Sequence, residues 1–493
     1  MLCLSISASA YDFEVDEIAY DILSFTELTC QVAKKTYSGD IIIPAEVTYN
    51  GKTLQVVSLA DDCFIECRNL LSIVLPNTIT SLGERCFGGC ERLKNITLPQ
   101  KLKRINGSKY GGSGCFRDCK SLTSISLPST LEYIGDYAFN GCATLESIDL
   151  PEAVTLGSSC FAGCHSLKTL PNIQMSEWPN SLFAGCEGLE YVEIPEGVSS
   201  LGDYCFSSCV NLSDITVPTS LTSVGQRCFA YTAIKDIKLH NITSIPGGLF
   251  YNCKNLQSFE IAESVGLIEL AILQWSYSPG STTTVWTPTF GEVPLRKLIV
   301  RGTDSSNVAQ AGLYHNGNLY TEISHDWNGV TQEILDSSWC KSLVYLELDR
   351  PIDGKLINCP DLNTLIVNYE LQSMDGIIQQ RMSQLDKLET LQISSIIPPT
   401  ISETTFSKAQ YMDLAVVVPD DVIENYRNAD VWKNFWNLTS KSDYDAGIDK
   451  VFSEDKTELA RYDLMGNPLT TNYQGIAIIK YSDGTASKCV ISQ

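Results

Sequence analysis

The sequence has few charged residues and few of the residues that most often carry catalysis. Charged residues make up 19% of the 493 positions, and there are only four histidines. None of the four shares a motif with a serine or cysteine nucleophile. No phosphate-binding loop, dinucleotide-binding glycine motif or His-Glu-x-x-His zinc motif occurs. We therefore expect a protein that is not an enzyme and that needs no cofactor.

Long apolar runs and basic clusters are also missing. No apolar stretch approaches the ~20 residues that a membrane-spanning helix needs. Lys and Arg number 35 against 58 Asp and Glu, a formal net charge of −23. A nucleic-acid-binding protein needs a basic surface to displace cations from phosphates, and the same acidity disfavours docking on anionic lipid. The sequence predicts a monomer with no nucleic-acid partner and no membrane span.

The first ten residues, MLCLSISASA, resemble the end of a secretory signal peptide. A short apolar stretch is followed by small residues, with Ala8 and Ala10 in an Ala-x-Ala arrangement. We expect residues 1–10 to be a signal-peptide remnant that is cleaved before Tyr11, which places the mature protein outside the cell. A basic segment before the apolar stretch is missing, so a coincidental likeness is the alternative.

One phenylalanine recurs nine times, and seven of its eight spacings are 21 to 23 residues. The step from Phe87 to Phe116 is 29 residues because a glycine-rich loop, residues 107–114, is inserted there. A fixed period of this length is typical of a repeat protein. The recurring residues are Phe64, Phe87, Phe116, Phe139, Phe161, Phe183, Phe206, Phe229 and Phe250.

The clearest repeats continue in one order: Cys three residues after Phe, Leu three later, then Ile-x-Leu-Pro, while Thr232 replaces the cysteine after Phe229. The alternation in Ile73-Val74-Leu75 has the period of a strand, so Ile73 and Leu75 point inward, and Pro76 ends the strand. A single coil cannot bury its apolar side, but stacked coils can. We predict a repeat solenoid, a right-handed stack with a parallel β-sheet and small β-rich terminal domains. The predicted core consists of the nine phenylalanines together with eight cysteines, which are Cys67, Cys90, Cys119, Cys142, Cys164, Cys186, Cys209 and Cys253.

The repeat resembles a known family. The pattern AF-x2-C-x2-L-x2-I-x-LP, seen at residues 138–151, is similar to the BspA-type leucine-rich repeats of bacterial surface proteins. Residues 11–22 and 37–56 look like the small β unit that precedes such repeats. The resemblance implies a surface protein involved in adhesion and host-protein binding. The family's closing segment is matched by Val418, Pro419, Tyr426, Trp432 and Phe435.

The pattern divides the chain into segments. After 262 the repeat is lost, and degenerate copies resume near Leu343. One long solenoid and two lobes about the irregular middle are both compatible with this. The last segment resembles the C-terminal sorting domain of type IX secretion, and a β-module that only packs on its neighbour is the alternative. The expected segments are an N-terminal β cap (11–55), nine repeats (56–262), an irregular insertion (263–335), degenerate repeats (336–420), a capping segment (421–447) and a β-rich sorting-like domain (448–493).

Cysteine is abundant, with 19 residues, of which 14 lie in the repeats. In pairs such as Cys63 and Cys67 the spacing is i, i+4, and no histidine recurs with it. A zinc site gathers four Cys or His ligands, so we predict no metal site. Side chains in a ladder run parallel whereas a disulfide needs converging Cβ atoms. We therefore expect mostly free, buried thiols.

Two sets of residues are candidates for ligand binding. On the outward side of the predicted sheet, Tyr191, Glu193, Asp214 and Asp236 form an acidic stretch suited to a basic or Ca²⁺-bridged partner. A merely solvated sheet face is the alternative. In the insertion, the aromatic residues could stack on a sugar, anchor a protein or simply fill the gap in the repeat array. These are Trp275, Tyr277 and Trp286.

Three functions follow from these features. The leading prediction is a secreted or cell-surface protein that binds an extracellular protein, host proteins included, in adhesion. The second is a structural spacer on the cell surface. The third is recognition of a surface glycan through the 263–335 insertion. A solenoid favours the first because it presents an extended surface without a catalytic pocket.

Overall fold

The structure is a computed structural model in which the chain forms two compact units, Met1–Val344 with Asp349–Cys359, and Tyr345–Leu348 with Pro360–Gln493. The predicted signal-peptide remnant lies outside the described residues. Within the strands over 270–288 and 310–320, the backbone alone is described. The structure describes residues 11–107, 114–278, 281–289, 293–302, 310–315, 318–320, 342–351, 359–375, 377–378, 381–446, 458–462, 469, 475–481 and 486–491.

The first unit is built from short β-strands. In chain order these are β1 (Phe13–Val15), β2 (Ile18–Ser24), β3 (Thr29–Val32), β4 (Gly39–Ile42), β5 (Glu46–Tyr49), β6 (Lys52–Leu59), β7 (Leu70–Val74), β8 (Asn95–Thr97), β9 (Arg104–Ile105), β10 (Tyr133–Ile134), β11 (Thr155–Leu156), β12 (Glu177–Trp178), β13 (Tyr191–Glu193), β14 (Ser200–Leu201), β15 (Asp214–Thr216), β16 (Ser223–Val224), β17 (Ser244–Ile245), β18 (Ser258–Ile261), β19 (Leu267–Ser278), β20 (Ser281–Pro288), β21 (Lys297–Val300), β22 (Gln310–His315) and β23 (Asn318–Tyr320).

The N-terminal strands form a sheet in the order β1-β2-β3-β6-β5. Strand β4 does not join it, but pairs in parallel with β7 and sets Ile41 beside Ile73. The segment Ile41-x-Ile43-Pro44 has the same form as the strand motif of the repeats. The first coil of the solenoid therefore begins inside the segment 11–55, which the sequence had assigned to the N-terminal cap.

Each coil presents extended backbone on two sides, and equivalent strands of successive coils pair in parallel. One row contains β4-β7-β8, β13-β15 and β18-β21, and we call it the first row. The second row contains β9-β10-β11, β12-β14-β16 and β17-β19. In the first row Ile73 pairs with Ile96, and both are buried. These parallel rows confirm the predicted solenoid.

The nine phenylalanines form a continuous column in the interior. All of them are fully buried, and the rings of consecutive coils are nearly parallel with centroids 5.2 to 6.1 Å apart. Each stacked pair contributes about 0.5–1.5 kcal/mol beyond the burial of its area. Paired strands are ~4.8 Å apart, so successive coils lie slightly farther apart at this column than at the strand rows.

Backbone and thiol hydrogen bonds hold the coils in register beside this column. The Phe87 N–H donates to the Cys115 carbonyl of the next coil at 2.8 Å. The Cys119 thiol donates back to the Phe87 carbonyl at 3.2 Å. Six further cysteines bond a preceding phenylalanine carbonyl in the same way, so this column supplies hydrogen bonds in addition to volume. They are Cys90, Cys142, Cys164, Cys186, Cys209 and Cys253.

The turn around each phenylalanine contains left-handed residues. Arg85, two residues before Phe87, has φ of 54°, and Gly89, two residues after it, has φ of 75°. Both positions remain left-handed in most other coils even where the residue is not glycine, as at Tyr231 with φ of 61°. Such residues cost about 1 kcal/mol or more each, and the bonds between coils must outweigh this cost.

Glycines permit the closest approach between coils. A methyl group on Gly225 would overlap the backbone of Asp203 in the preceding coil, and one on Gly83 would overlap Ala60. Next to these glycines, polar side chains bond the following coil: Asp203 accepts from the Gln226 N–H at 2.7 Å. Glycine is therefore required for packing at these positions.

A further coil lies inside the segment 263–335, where the sequence indicated no repeat. Strand β19 continues the second row through Leu267 and then forms an antiparallel hairpin with β20. After the hairpin, the Thr289 carbonyl accepts from the Phe250 N–H at 3.0 Å, as the residue before each phenylalanine does in other coils. Strand β21 then pairs with β18. The hairpin is thus an insertion within a coil.

A fully buried arginine closes this part of the first unit. The Arg350 guanidinium donates to the carbonyls of Ala262 at 3.1 Å, Val265 at 2.6 Å and Arg301 at 2.9 Å. Burial lowers the pKa of Arg350 from its usual value, but arginine stays charged at neutral pH. Backbone carbonyl oxygens compensate much of its charge. In return, the guanidinium supplies these carbonyls with hydrogen-bond donors.

The second unit continues the repeat architecture with less regular coils. Strands β24 to β27 align Leu346, Leu365, Leu391 and Val416, and β28 pairs Leu438 with Val416. All four residues aligned by β24 to β27 lie in the segment 336–420, which was predicted to hold degenerate repeats. The elements are β24 (Tyr345–Leu348), β25 (Thr364–Val367), β26 (Thr390–Ile393), α1 (Lys408–Asp413), β27 (Ala415–Val418), α2 (Ile423–Asn428) and β28 (Leu438–Ser440), with 3₁₀ turns at Met382–Gln384, Asp420–Val422 and Trp432–Asn434.

The chain closes with an aromatic cluster and a small sheet. Tyr426, Trp432 and Phe435, from the predicted capping segment, are buried against one another. Within the expected domain 448–493, three antiparallel strands pair in chain order, and residues 448–457 lie outside the described residues. None of the helices in the described part of the chain is long and apolar enough to cross a membrane. The three strands are β29 (Glu458–Tyr462), β30 (Gly475–Tyr481) and β31 (Ala486–Ile491).

Replacing Gly225 with alanine tests the close approach between coils. We expect Gly225→Ala to destabilise the first unit by about 1–3 kcal/mol because the new methyl group has no space. Gly266→Ala is the matched control, since nothing lies within 4 Å of its Cβ position. Its unfolding midpoint should be unchanged or slightly higher. Equal midpoints for the two variants in thermal unfolding would contradict the packing described here.

Thiol titration tests the state of the cysteines. Burial raises the pKa of the Cys209 thiol to about 12 and that of Cys253 to about 11, so both stay protonated and unreactive at neutral pH. Native protein should react with a thiol reagent far less than protein in denaturant, where more than half of the 19 cysteines should react. Fewer than half would indicate disulfides. The described free, buried thiols are Cys30, Cys63, Cys67, Cys86, Cys90, Cys115, Cys119, Cys142, Cys160, Cys164, Cys186, Cys205, Cys209, Cys228, Cys253 and Cys359.

Candidate binding surface

The four residues predicted on the sheet face lie on the outward side of the first row. Tyr191 and Glu193 are on β13, Asp214 is on β15, and their register sets Tyr191 beside Asp214 and Glu193 beside Thr216. Asp236 lies 22 residues after Asp214, at the equivalent position of the next coil. The side chains of all four candidates are exposed.

The inward neighbours of these residues hold the face in place. Val192, Ile215 and Ile237 alternate with the exposed side chains and are buried, as a strand with one solvated face requires. Tyr191 is 50% exposed, and its hydroxyl lies 3.4 Å from both a Glu193 carboxylate oxygen and the Thr216 hydroxyl. Half of the Tyr191 side chain is therefore open to solvent, on a strand whose backbone is fixed by its buried neighbours.

Basic residues border the acidic stretch, beginning with Lys238, which lies two residues after Asp236 in the same coil. Lys238 is in register with Glu260 through an isolated bridge. Glu260 in turn pairs with Arg301, with a nitrogen-to-oxygen distance of 3.5 Å. Lys297 on β21 lies beside Ser258. Along the row, the exposed side chains thus change from carboxylates to a mixture of acidic and basic groups. The charge of this face is therefore uneven, which affects how a charged molecule would orient against it.

The other end of the first row is apolar, which sequence reasoning missed. Ile42 on β4 pairs with Val74 on β7, and the two side chains are 72% and 47% exposed. Beside them, the Ser72 hydroxyl donates to the Asp40 carboxylate at 2.5 Å. The available signal was the motif Ile41-x-Ile43-Pro44, which extends the outward row by one coil.

The aromatic candidates lie on the hairpin, away from this face. Trp275 and Tyr277 are on β19 and Trp286 is on β20, with Trp286 opposite Leu273, and Tyr277 opposite Thr282. Alternation along paired strands assigns positions 275, 277 and 286 to one face of the hairpin. Because β19 belongs to the second row, the structure does not bring the two candidate sets together.

The described histidines, cysteines and carboxylates do not gather into a metal site. Among them, no group of three His, Cys, Asp or Glu side chains is placed to hold a metal ion. His165 and His240 are exposed. The thiols next to the phenylalanine column are buried with raised pKa values, as at Cys115, which removes them from surface chemistry.

Comparison with known proteins identifies the repeats. Residues 57–176 and 169–278 match the family described as a BspA type leucine rich repeat region, in six copies. Among proteins with curated functions, none matches the sequence.

One solved structure shows the same fold, and two others are similar to part of the chain. A leucine-rich repeat protein from Bacteroides ovatus is 22% identical with a TM-score of 0.53, over 87% of this chain and 99% of that chain. A leucine rich cell surface protein from Faecalibacterium prausnitzii is 22% identical over 53% of this chain and 85% of its own, with a TM-score of 0.33. A leucine-rich repeat protein from T. pallidum is 25% identical over 45% and 88%, with a TM-score of 0.32. Residues 57–278 therefore form a leucine-rich repeat region of the BspA type.

Proposed function

We propose that the protein is exported to the cell surface or secreted, and that the outward side of the first row binds an extracellular protein. The observation that carries this proposal is the row of exposed side chains around Tyr191 and Asp214 on a backbone held from behind by buried residues. The name of the F. prausnitzii structure, a cell surface protein, is in keeping with this location.

The chemistry of the face favours a basic partner. Glu193, Asp214 and Asp236 are exposed carboxylates in three successive coils, and Tyr191 lies beside Asp214 on the strand that carries Glu193. Tyrosine is enriched at the residues that dominate protein interfaces, and carboxylates around it increase the association rate of a positively charged partner. Binding would be non-enzymatic, since the face holds no nucleophile paired with a base.

A glycan is the second candidate ligand, and the hairpin is its site. The register that assigns Trp275, Tyr277 and Trp286 to one face of β19 and β20 is the observation in its favour. Aromatic rings on one surface suit stacking on sugar rings. A purely structural spacer would use neither surface.

Charge reversal on the sheet face tests the leading proposal. Full-length protein is used to capture purified extracellular and epithelial host proteins, with a glycan array beside it. We expect a saturable protein ligand whose affinity falls at least tenfold in Asp214→Lys and Asp236→Lys, because two attractive contacts become repulsive. Glu177→Lys, on the exposed side of β12 in the second row, is the matched control and should bind normally.

Other outcomes separate the alternatives. If a ligand binds both charge-reversed variants as well as it binds the parent protein, the sheet face is not its binding site. Glycan binding that is lost in Trp275→Ala and Trp286→Ala would assign the activity to the hairpin. Absence of any ligand on both panels would support the spacer.

A further inference from the structure

Two adjacent isoleucines protrude from the second unit in a loop that is otherwise firmly held. Ile396 and Ile397 follow β26 and are 61% and 70% exposed. The flanking residues Ser395 and Pro399 are buried. Isolated exposed apolar residues are common on protein surfaces, but here two adjacent ones lie in a loop whose backbone is held by hydrogen bonds.

One carboxylate fixes the backbone of both isoleucines. The Glu370 side chain accepts the Ile396 N–H at 2.9 Å on one oxygen and the Ile397 N–H at 3.1 Å on the other. Glu370 is itself exposed, on the loop that follows β25. The side chain thus orients the two residues from the neighbouring coil.

Three more side chains hold the carbonyls of the same loop. The Tyr426 hydroxyl donates to the Ser395 carbonyl at 2.9 Å, and the Trp432 indole N–H donates to the Pro399 carbonyl at 2.7 Å. The Asn425 amide donates to the Ile396 carbonyl at 3.3 Å. We call residues 394–399 the isoleucine loop.

This arrangement leaves the apolar side chains in water with their backbone already ordered. Ordering a flexible loop on binding costs about 1–2 kcal/mol per residue, and the isoleucine loop has met that cost in the folded state. Burying the two side chains would recover roughly 25 cal/mol for each Å² of apolar area. The loop is therefore organised for contact with another apolar surface.

An acidic groove lies next to the loop. It has a volume of about 460 Å³ and is lined by residues of β26, by Val418, Pro419, Asp420 and Asp421, and by Lys441. A hydrogen bond from the Ser442 N–H lowers the pKa of the Asp420 carboxyl, which keeps it ionised at neutral pH. The loops after parallel strands meet at the same edge of a sheet, so groove and isoleucine loop share one surface.

The charges around this surface are predominantly negative. The basic groups Arg427 and Lys441 are already paired, Arg427 with Glu424 at 2.6 Å and Lys441 with Asp445 at 2.8 Å. The carboxylates that directly follow β25 and β27 belong to Glu370, Asp420 and Asp421. A partner that fills the groove must therefore bring positive charge.

We propose that the isoleucine loop and the acidic groove form a second docking surface, whose occupant is an extended segment of another protein with an apolar side chain next to a lysine or arginine. The apolar side chain packs on Ile396 and Ile397, and the cation lies at Asp420 and Asp421. A second copy of this chain suits the surface poorly, because with a net charge of −23 two copies repel each other.

Selection from a random peptide library displayed on phage tests this surface with a defined probe. Full-length protein is the bait, and the expected enriched peptides carry Lys or Arg within a few positions of Leu, Ile, Val or Phe. The Ile396→Ser/Ile397→Ser double variant should lose at least tenfold in affinity for them, and Asp421→Lys should do the same. Thermal midpoints should stay unchanged, because the isoleucine side chains are exposed and their N–H groups remain.

Matched controls separate this surface from the rest of the molecule. Val210→Ser removes an exposed apolar side chain of the first unit and should leave peptide affinity unchanged. Asp214→Lys should also have no effect, so a failure here is distinct from a failure of the sheet face.

Three results would overturn the proposal: no enrichment, enrichment of peptides without basic residues, and binding that is insensitive to both variants. A concentration-dependent dimer in sedimentation that the double isoleucine variant abolishes would also overturn it, and would assign the surface to a second copy.

Discussion

The hydrogen bond from each phenylalanine N–H to the next coil is the contact on which the first unit depends. It sets the register at which the ring of Phe87 stacks on that of Phe116, and at which the Cys119 thiol reaches the Phe87 carbonyl. A shift of one residue would break these contacts in each coil that makes them. Because each coil contacts only its neighbours, the stability of the unit is close to a sum of such contacts.

The repeat could be predicted from the sequence because similar residues recur at nearly fixed spacing and make similar contacts in successive coils. Phenylalanine and cysteine at fixed spacing predicted the interior column, and Ile-x-Leu-Pro predicted the strands. The coil at β4 was not recognised because Tyr37, whose ring is tilted against that of Phe64 with centroids 4.7 Å apart, takes the position of the column residue. The coil between β18 and β21 was hidden by the hairpin insertion, which displaces the motif along the sequence while Thr289 keeps its place in space.

Of the candidate surfaces, one could be predicted from the sequence and one could not. Alternation along a strand was enough to place Tyr191, Glu193 and Asp214 on one face. The isoleucine loop could not be predicted, because its conformation depends on Glu370 and Tyr426, which are 26 and 31 residues away from the backbone atoms that they bind. The first row offers a charged surface and the isoleucine loop an apolar one. A repeat architecture can carry both, since an exposed side chain does not alter the stacking behind it.

Deletion of one whole coil tests the central claim that the coils are equivalent and stack in register. Removing residues 162–183 joins Phe161 to Ala184 and recreates the local sequence of a neighbouring repeat. Removing residues 162–172 deletes half a coil instead. We expect the whole-coil deletion to keep cooperative thermal unfolding and the native circular dichroism spectrum, and the half-coil deletion to lose both. Equal behaviour of the two deletions would contradict that claim.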